Sequence, residues 1–312
     1  MSRLCKERRG ILRCIWMLLL AGGVVSLAAA PAGQLLPEFF SVEQTPEQVA
    51  GNPVRLTIRE DSDAAAVEEW HFDAEGRLIR KEIRQAGSLP LVTQYLYSPE
   101  GRLREWFQEG VDARRLWGYR LEYDDQGRLQ RSISEGPGGS IEYIEQFQYH
   151  TDTRHESVLY NSVGEPMWRR EVERHGERLE WRVRQPNGEL FSQGGRKYRD
   201  GLLQQEEVQD SGGSIIEQIE YQYDAEGRLV QRDMHDASGL IQRKTHSYIN
   251  DTLQFTRIVD PQDDGESIEH VLTRKDSHGN WIQRVTTRLF REQGAVSVIA
   301  ADTRIRDIEY QE

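Results

Sequence analysis

FDAEGRL (72–78), YSPEGRL (97–103), YDDQGRL (123–129) and YDAEGRL (223–229) are one heptad written four times. Weaker copies stand at VERHGERL (172–179), YRDGLL (198–203) and KDSHGNW (275–281). YHTDTRH (149–155) and YINDTLQF (248–255) are eroded copies that fill two double-length gaps. Nine units then recur about every 25 residues, with turn glycines at Gly76, Gly101, Gly127, Gly176, Gly201, Gly227 and Gly279. A second glycine series, Gly87, Gly110, Gly138, Gly164, Gly188, Gly212, Gly239 and Gly265, falls between them. Each unit therefore holds two turns. The interval between turns has room for one strand of roughly eight residues, the signature of an all-β chain. Nine units predict about 16 to 18 strands.

The heptad has a physical reading. Asp73, Asp124 and Asp224 are placed to accept hydrogen bonds from backbone N–H groups just after them, which starts a turn. Glycine follows three residues later, where a type I turn ends on a left-handed residue. The aromatic before the Asp and the Leu after Gly–Arg then meet across the hairpin. The arms alternate as half-buried strands do: Ile141, Tyr143, Phe147 and Tyr149 on one face, Glu142, Gln146 and Gln148 on the other. Ile219, Tyr221 and Tyr223 alternate likewise with Glu220 and Gln222. Only DAAAVEEW (63–70) has helical character.

An aromatic–Asp–x–x–Gly–Arg–Leu heptad at this spacing resembles the YD repeat of the Rhs, teneurin and insecticidal-toxin superfamily, across most of residues 70–285. The resemblance implies a continuous, spiralling antiparallel sheet, which in that family closes into a shell around a cargo polypeptide. This chain is far shorter, and residues 286–312 read as further strand rather than as a toxin domain. Only the sheet architecture is carried over.

The N-terminus is different material. Five basic residues (Arg3, Lys6, Arg8, Arg9, Arg13) precede the apolar stretch CIWMLLLAGGVVSLAAA and then small residues, the pattern of a secretory signal cut between Ala28 and Ala32. Cys5 and Cys14, the only cysteines, would leave with it, so no disulfide or Cys metal site is expected in the exported chain. The mature chain has 35 basic and 51 acidic residues, a net charge of −16. That balance argues against nucleic-acid binding.

The expected organisation is a signal peptide (1–30), an N-terminal linker (31–52) and an all-β domain (53–312). The domain is an antiparallel meander of about nine β-hairpin repeats in a large curled or rolled sheet, its apolar face inward. A half-pipe, an open barrel and two packed sheets all satisfy that description. QLLPEFF, early in the linker, is a candidate cover for a sheet edge. Charges along nearly every strand speak against an outer-membrane barrel, so no membrane insertion is expected after signal cleavage.

No residue is assigned a catalytic, cofactor-binding or metal-binding role, and no cofactor is expected. The carboxylates sit in turns or on a solvated face. DPQDDGESIE (260–269) misses a calcium loop, with Val271 where a Glu is needed. GPGGS (136–140) opens no phosphate-binding helix. His71, His150, His155, His175, His235, His246, His270 and His278 are scattered. Trp106, Trp117, Trp168, Trp181 and Trp281 are candidates for a sugar platform, with plain core packing as the simpler role. The functional expectation is a non-enzymatic, periplasmic or secreted β-repeat module of the envelope, either structural or binding an unidentified protein or glycan. The alternatives are a lipid or lipoprotein carrier using the apolar concave face and, behind it, a carboxylate-dependent hydrolase.

Overall fold

The computed structural model describes residues 49–60, 66–110, 112–249, 252–259, 265–292 and 295–311. Its strands are β1 (Pro53–Glu60), β2 (Val67–Phe72), β3 (Leu78–Arg84), β4 (Leu91–Tyr97), β5 (Leu103–Glu109), β6 (Arg115–Tyr123) and β7 (Leu129–Glu135). There follow β8 (Ile141–Thr151), β9 (Arg154–Asn161), β10 (Pro166–His175), β11 (Arg178–Arg184), β12 (Leu190–Arg199), β13 (Leu202–Asp210) and β14 (Ile215–Tyr223). The last are β15 (Leu229–Asp236), β16 (Gly239–Ile249), β17 (Thr252–Val259), β18 (Gly265–Lys275), β19 (Trp281–Glu292) and β20 (Ala295–Tyr310). Each pairs antiparallel with its neighbour in sequence, and β20 pairs with β1. The sheet is a closed 20-stranded barrel.

The heptad closes its own turn and then ties itself to the next unit. Asp73 Oδ1 accepts from the backbone N–H of Glu75 at 3.1 Å and of Arg77 at 2.9 Å, and Oδ2 accepts from Arg77 Nε at 2.7 Å. Gly76, at φ 76°, donates its N–H to the Asp73 carbonyl. The Arg77 guanidinium lies 5.0 Å from the centre of the Tyr97 ring, in the following unit. Tyr97 Oη in turn donates back to the Leu78 carbonyl at 2.9 Å. Arg128, Tyr149 and Leu129 repeat this set (4.5 and 3.0 Å), as do Arg228, Tyr248 and Leu229 (5.1 and 2.8 Å). Every residue type that defines the heptad thus has a structural partner.

The nine expected hairpins are present, from β2–β3 to β18–β19. Two flanking strands raise the total to 20. Neither β1 nor β20 carries a heptad, and the pairing of these two closes the cylinder. Several turn assignments change. The left-handed residue near 110 is Ala113 and not Gly110, and near 212 it is Gly213 and not Gly212. Gly265 is the first residue of β18. The copy at 198–203 makes a two-residue turn with Asp200 and Gly201 both at positive φ, the type I′ hairpin that Asp–Gly favours. VEEW, in the expected helix, opens β2, because its side chains alternate against β1 and β3; residues 61–65 lie outside the description.

Register fixes two faces. One carries Leu56, Trp70, Thr93, Trp106, Tyr119, Phe147, Val172, Trp181, Ile219 and Tyr221. The other carries Arg55, Glu69, Glu82, Glu105, Arg120, Arg169, Asp233 and Arg243. Among the described residues, buried apolar side chains lie on the first face, Ile133 excepted. Side chains converge on the concave side of a cylinder and diverge on the convex side, so the first face lines the lumen. Twenty strands at about 4.8 Å make a wall roughly 30 Å across before tilt, too wide for side chains to meet over the axis. Accordingly, the four apolar clusters, around Leu56, Leu121, Leu179 and Ile219, draw only on neighbouring strands. The lumen is open.

Closure corrects one expectation in part. A closed cylinder is the β architecture able to cross a bilayer, so the expected lack of membrane insertion loses its architectural support. Exposed apolar residues also occur on the outer face, among them Leu96, Leu272, Val298 and Ile305. No helix among the described residues is long and apolar enough to cross a membrane, which says nothing about strands.

Candidate functional site

An aromatic group with exposed rings lies on the lumen face of β5, β6 and β8. In LREWFQE (103–109), alternation sends Trp106 inward and Phe107 outward. Gly118 stands opposite Phe107. A Cβ there would lie 2.6 Å from the Trp106 carbonyl oxygen and 2.6 Å from Phe107 Cβ, so the close approach of β5 and β6 requires glycine. Held this way, Trp106 and Tyr119 stack with centroids 5.3 Å apart, and Trp117 meets Trp106 edge-on at 4.7 Å. Trp117 Nε1 donates to Gln108 Oε1. Tyr143 follows in the same row, across Ser134. Trp106 is buried, whereas Trp117 is 39% and Tyr143 43% exposed, both near the rim opposite the heptad turns.

Beside this group is a polar inlay. Glu145 Oε1 accepts from Ser157 Oγ at 2.7 Å and from Arg170 Nη2 at 2.5 Å, and the Arg170 guanidinium sits 4.9 Å from the Trp168 ring. His155, 7% exposed, packs on Tyr149 with centroids 5.4 Å apart. Burial, aided by Arg170 and His150, lowers its pKa to about 4, so it is neutral at physiological pH. Its Nδ1 is buried without a hydrogen-bond partner. Ser157 is bonded to Glu145 and not to His155, so these groups form no nucleophile–base pair. On β14, burial raises the Glu217 carboxyl and nearby Glu206 adds to the shift, while Glu206 itself is held by Arg196 at 2.9 Å. No described group of three His, Cys, Asp or Glu residues is placed to hold a metal.

The outer wall is laced with ion pairs: Arg115 with Glu135 (2.5 Å), Arg131 with Glu122 (2.9 Å), Arg169 with Glu156 (2.5 Å), Arg243 with Asp233 (2.6 Å) and Arg257 with Glu266 (2.7 Å). On β18–β20 apolar rows stand among these pairs. There the outward rows read Ile268–Leu289–Val298 and Leu272–Val285–Thr303.

Of the five candidate tryptophans, Trp106 and Trp117 come together. Trp181 is buried against Val172 and Leu179, with Gly194 directly across the ladder. Trp281 lies between Arg284 (4.8 Å) and Arg306 (3.7 Å), and Trp168 lies beside Arg170. Sequence reading missed Tyr119, Tyr143 and Gln108 as companions of the Trp pair. Period-2 alternation marks their faces, and the pairing register, which fixes who stands beside whom, was the absent information. Of the acidic run at 260–269, residues 260–264 lie outside the description and Gly265–Glu269 belong to β18.

No family model matches the chain, and no curated protein matches it. Solved structures do. A porin-like protein from Bacteroides uniformis is similar at 12% identity and a TM-score of 0.36, over 84% of this chain and 98% of that one. A porin-like protein from Bacteroides vulgatus is similar at 10% identity and a TM-score of 0.31, over 84% and 99%. TcdB2-TccC3 without its hypervariable C-terminal region is similar at 11% identity and a TM-score of 0.32, over 74% of this chain and 15% of that one.

Proposed function

We propose that this chain is an exported envelope barrel that works as a non-enzymatic binding shell, its lumen taking up a glycan at the aromatic group of β5, β6 and β8. The observation that carries the reading is the pair of exposed lumenal rings, Trp117 and Tyr143, backed by the buried Trp106–Tyr119 stack. Flat aromatic faces suit the apolar faces of sugar rings, while Gln108, Ser134 and Glu145 in the same area supply hydrogen bonds to hydroxyls. The continuous apolar sleeve that a lipid carrier would want is interrupted by Glu145, Arg170, Glu217 and Arg306, all on the lumen face.

In this reading the wall stands in water. Ion pairs line its outer face from β3 to β18, and an Arg or Lys facing lipid at the midplane costs about 2–4 kcal/mol each. A second reading, a barrel inserted in the outer membrane, is favoured by closure and by the apolar outer rows of β18–β20. Cell fractionation separates them. Release by osmotic shock or high-pH washing supports the water-standing shell, and recovery only in detergent supports insertion.

The binding test is affinity electrophoresis against envelope polysaccharides and peptidoglycan fragments, with Trp fluorescence as a second readout. Retardation that is lost in Trp117→Ala and Tyr143→Ala, with unchanged circular dichroism, is the expected result. Equal mobility of the parent and both variants in every glycan tried would refute the glycan reading.

A further inference from the structure

The barrel wall has a step at its seam. β20 is sixteen residues long. Its C-terminal part, Arg304 to Tyr310, pairs with β1, and Arg304 and Ile305 pair with β19 as well. Its N-terminal part, Ala295 to Thr303, pairs with β19 alone. β1 ends at Glu60, opposite Arg304, where the chain turns back and Glu60 N–H donates to the Ala66 carbonyl. Nine residues of β20 therefore rise past β1 with one edge that no described strand covers. At about 3.3 Å per residue the step is roughly 30 Å tall.

That edge is unlike the rest of the sheet. AVSVIAA (295–301) contains no charged residue, and Val296, Val298 and Ile299 are 54%, 66% and 58% exposed. Open edges in natural sheets are blunted by charges, prolines or bulged, very short strands. Here a long, neutral, β-branched edge has no backbone partner among the described residues. Only another extended strand satisfies such a row of groups.

We propose that β20 of a second copy of this chain occupies the edge, antiparallel, about a two-fold axis. The charge pattern selects that occupant. A two-fold places a strand against its own reverse, so a strand with Arg and Glu at fixed positions meets like charges as readily as opposite ones. Residues 295–301 carry none and are self-compatible in every register. A strand resembling the others of this sheet would instead set charges against an uncharged edge. The pairing leaves the lumen and its aromatic group unaltered, so the inference is independent of the ligand proposed above.

The test is sedimentation velocity on the exported chain as purified, up to about 100 μM, where a contact in the micromolar range is fully populated. The expected result is a concentration-dependent dimer that becomes monomeric in Val298→Lys. Val298 pairs with Leu289 on the outer face, and the far-UV circular dichroism of the variant should match the parent. In Ser297→Cys, mild oxidation should give a covalent dimer that the parent does not give. A monomer at every concentration with native circular dichroism overturns the proposal. So does a dimer that survives Val298→Lys and yields no Ser297→Cys crosslink.

Discussion

His155 makes the stability of this barrel fall between neutral and mildly acidic pH, and the size of the fall follows from its surroundings. The ring is buried on β9, packed at a tilt on Tyr149, with Arg170 and His150 nearby, and its folded-state pKa is about 4. In the unfolded chain an imidazole titrates near 6.5. A folded pKa below the unfolded one means that the unfolded state binds the proton first as pH drops. Stability is therefore intact above about pH 6.5, is lost progressively below it, and this loss levels off beneath pH 4. For one such group the loss is about 2 kcal/mol at pH 5 and about 3 kcal/mol at pH 4, relative to pH 8. His155→Phe fills the site without a titrating group. Urea unfolding at half-unit intervals from pH 8 to pH 4 should give a parent curve that falls below the variant's by those amounts. The carboxylates held down by arginines or turn N–H groups, Asp124, Asp224 and Asp233 among them, lose their contribution only below their ordinary range and so act at lower pH. Superimposable curves for parent and variant, or an imidazole resonance of His155 that titrates near 6.5, would refute the burial argument.

Three further outcomes follow from the geometry. Gly76→Ala should cost about 1 kcal/mol, because the only penalty is a left-handed Ala in open space. Gly127→Ala should cost more, since its Cβ would fall 2.2 Å from Arg102 Nη2 and displace that guanidinium from Tyr123; equal urea midpoints for the two variants would contradict this. Tyr149→Phe removes the bond from Tyr149 Oη to the Leu129 carbonyl at 3.0 Å and should lower stability by about 1–2 kcal/mol, read from denaturant unfolding. Glu217→Gln acts with the opposite sign to a paired carboxylate. A folded pKa raised by burial means stability is lost as pH rises past the ordinary Glu value, so the variant should gain stability relative to the parent at pH 7–8 and not at pH 4. A uniform offset at all pH values would exclude a titration effect.

The heptads told most of the fold because turn chemistry is local. Asp73, Gly76 and Arg77 find their turn partners within five residues of one another, and alternation of Tyr143, Phe147 and Tyr149 needs no knowledge of distant strands. Closure was a different kind of question. It depends on β1 meeting β20, two strands without the heptad and some 240 residues apart, so nothing periodic announced it. The weak second-turn assignments failed for a related reason: Ala113 occupies a left-handed position that glycine spacing alone gave to Gly110. The aromatic group failed at register. Trp106, Trp117 and Tyr119 lie within fourteen residues, yet their contact requires a particular pairing across β5 and β6 and the absence of a side chain at Gly118.

The seam shows how such a chain can be both repetitive and finite. Every pairing except β1–β20 joins strands adjacent in sequence, so each hairpin forms with little loop entropy, and a meander of this kind can in principle add units without end. Termination needs residues that break the pattern. Asn280 donates to the Ala50 carbonyl at 2.8 Å and to Tyr310 Oη at 2.8 Å, and its own side-chain oxygen accepts from Ala50 N–H at 3.0 Å. Tyr310 Oη donates to Asp276, and Arg304 reaches Glu60 at 2.8 Å. In the copy KDSHGNW, Asn280 stands where the strong heptads have the Arg that stacks on the next unit's aromatic ring. Here the next strand, β20, carries no heptad, and the substituted residue turns its amide to Ala50 instead. The departure from the heptad at that position is therefore part of the closure, and the same seam that seals the cylinder at Tyr310 leaves it stepped at Val298, where no described strand pairs on the β1 side.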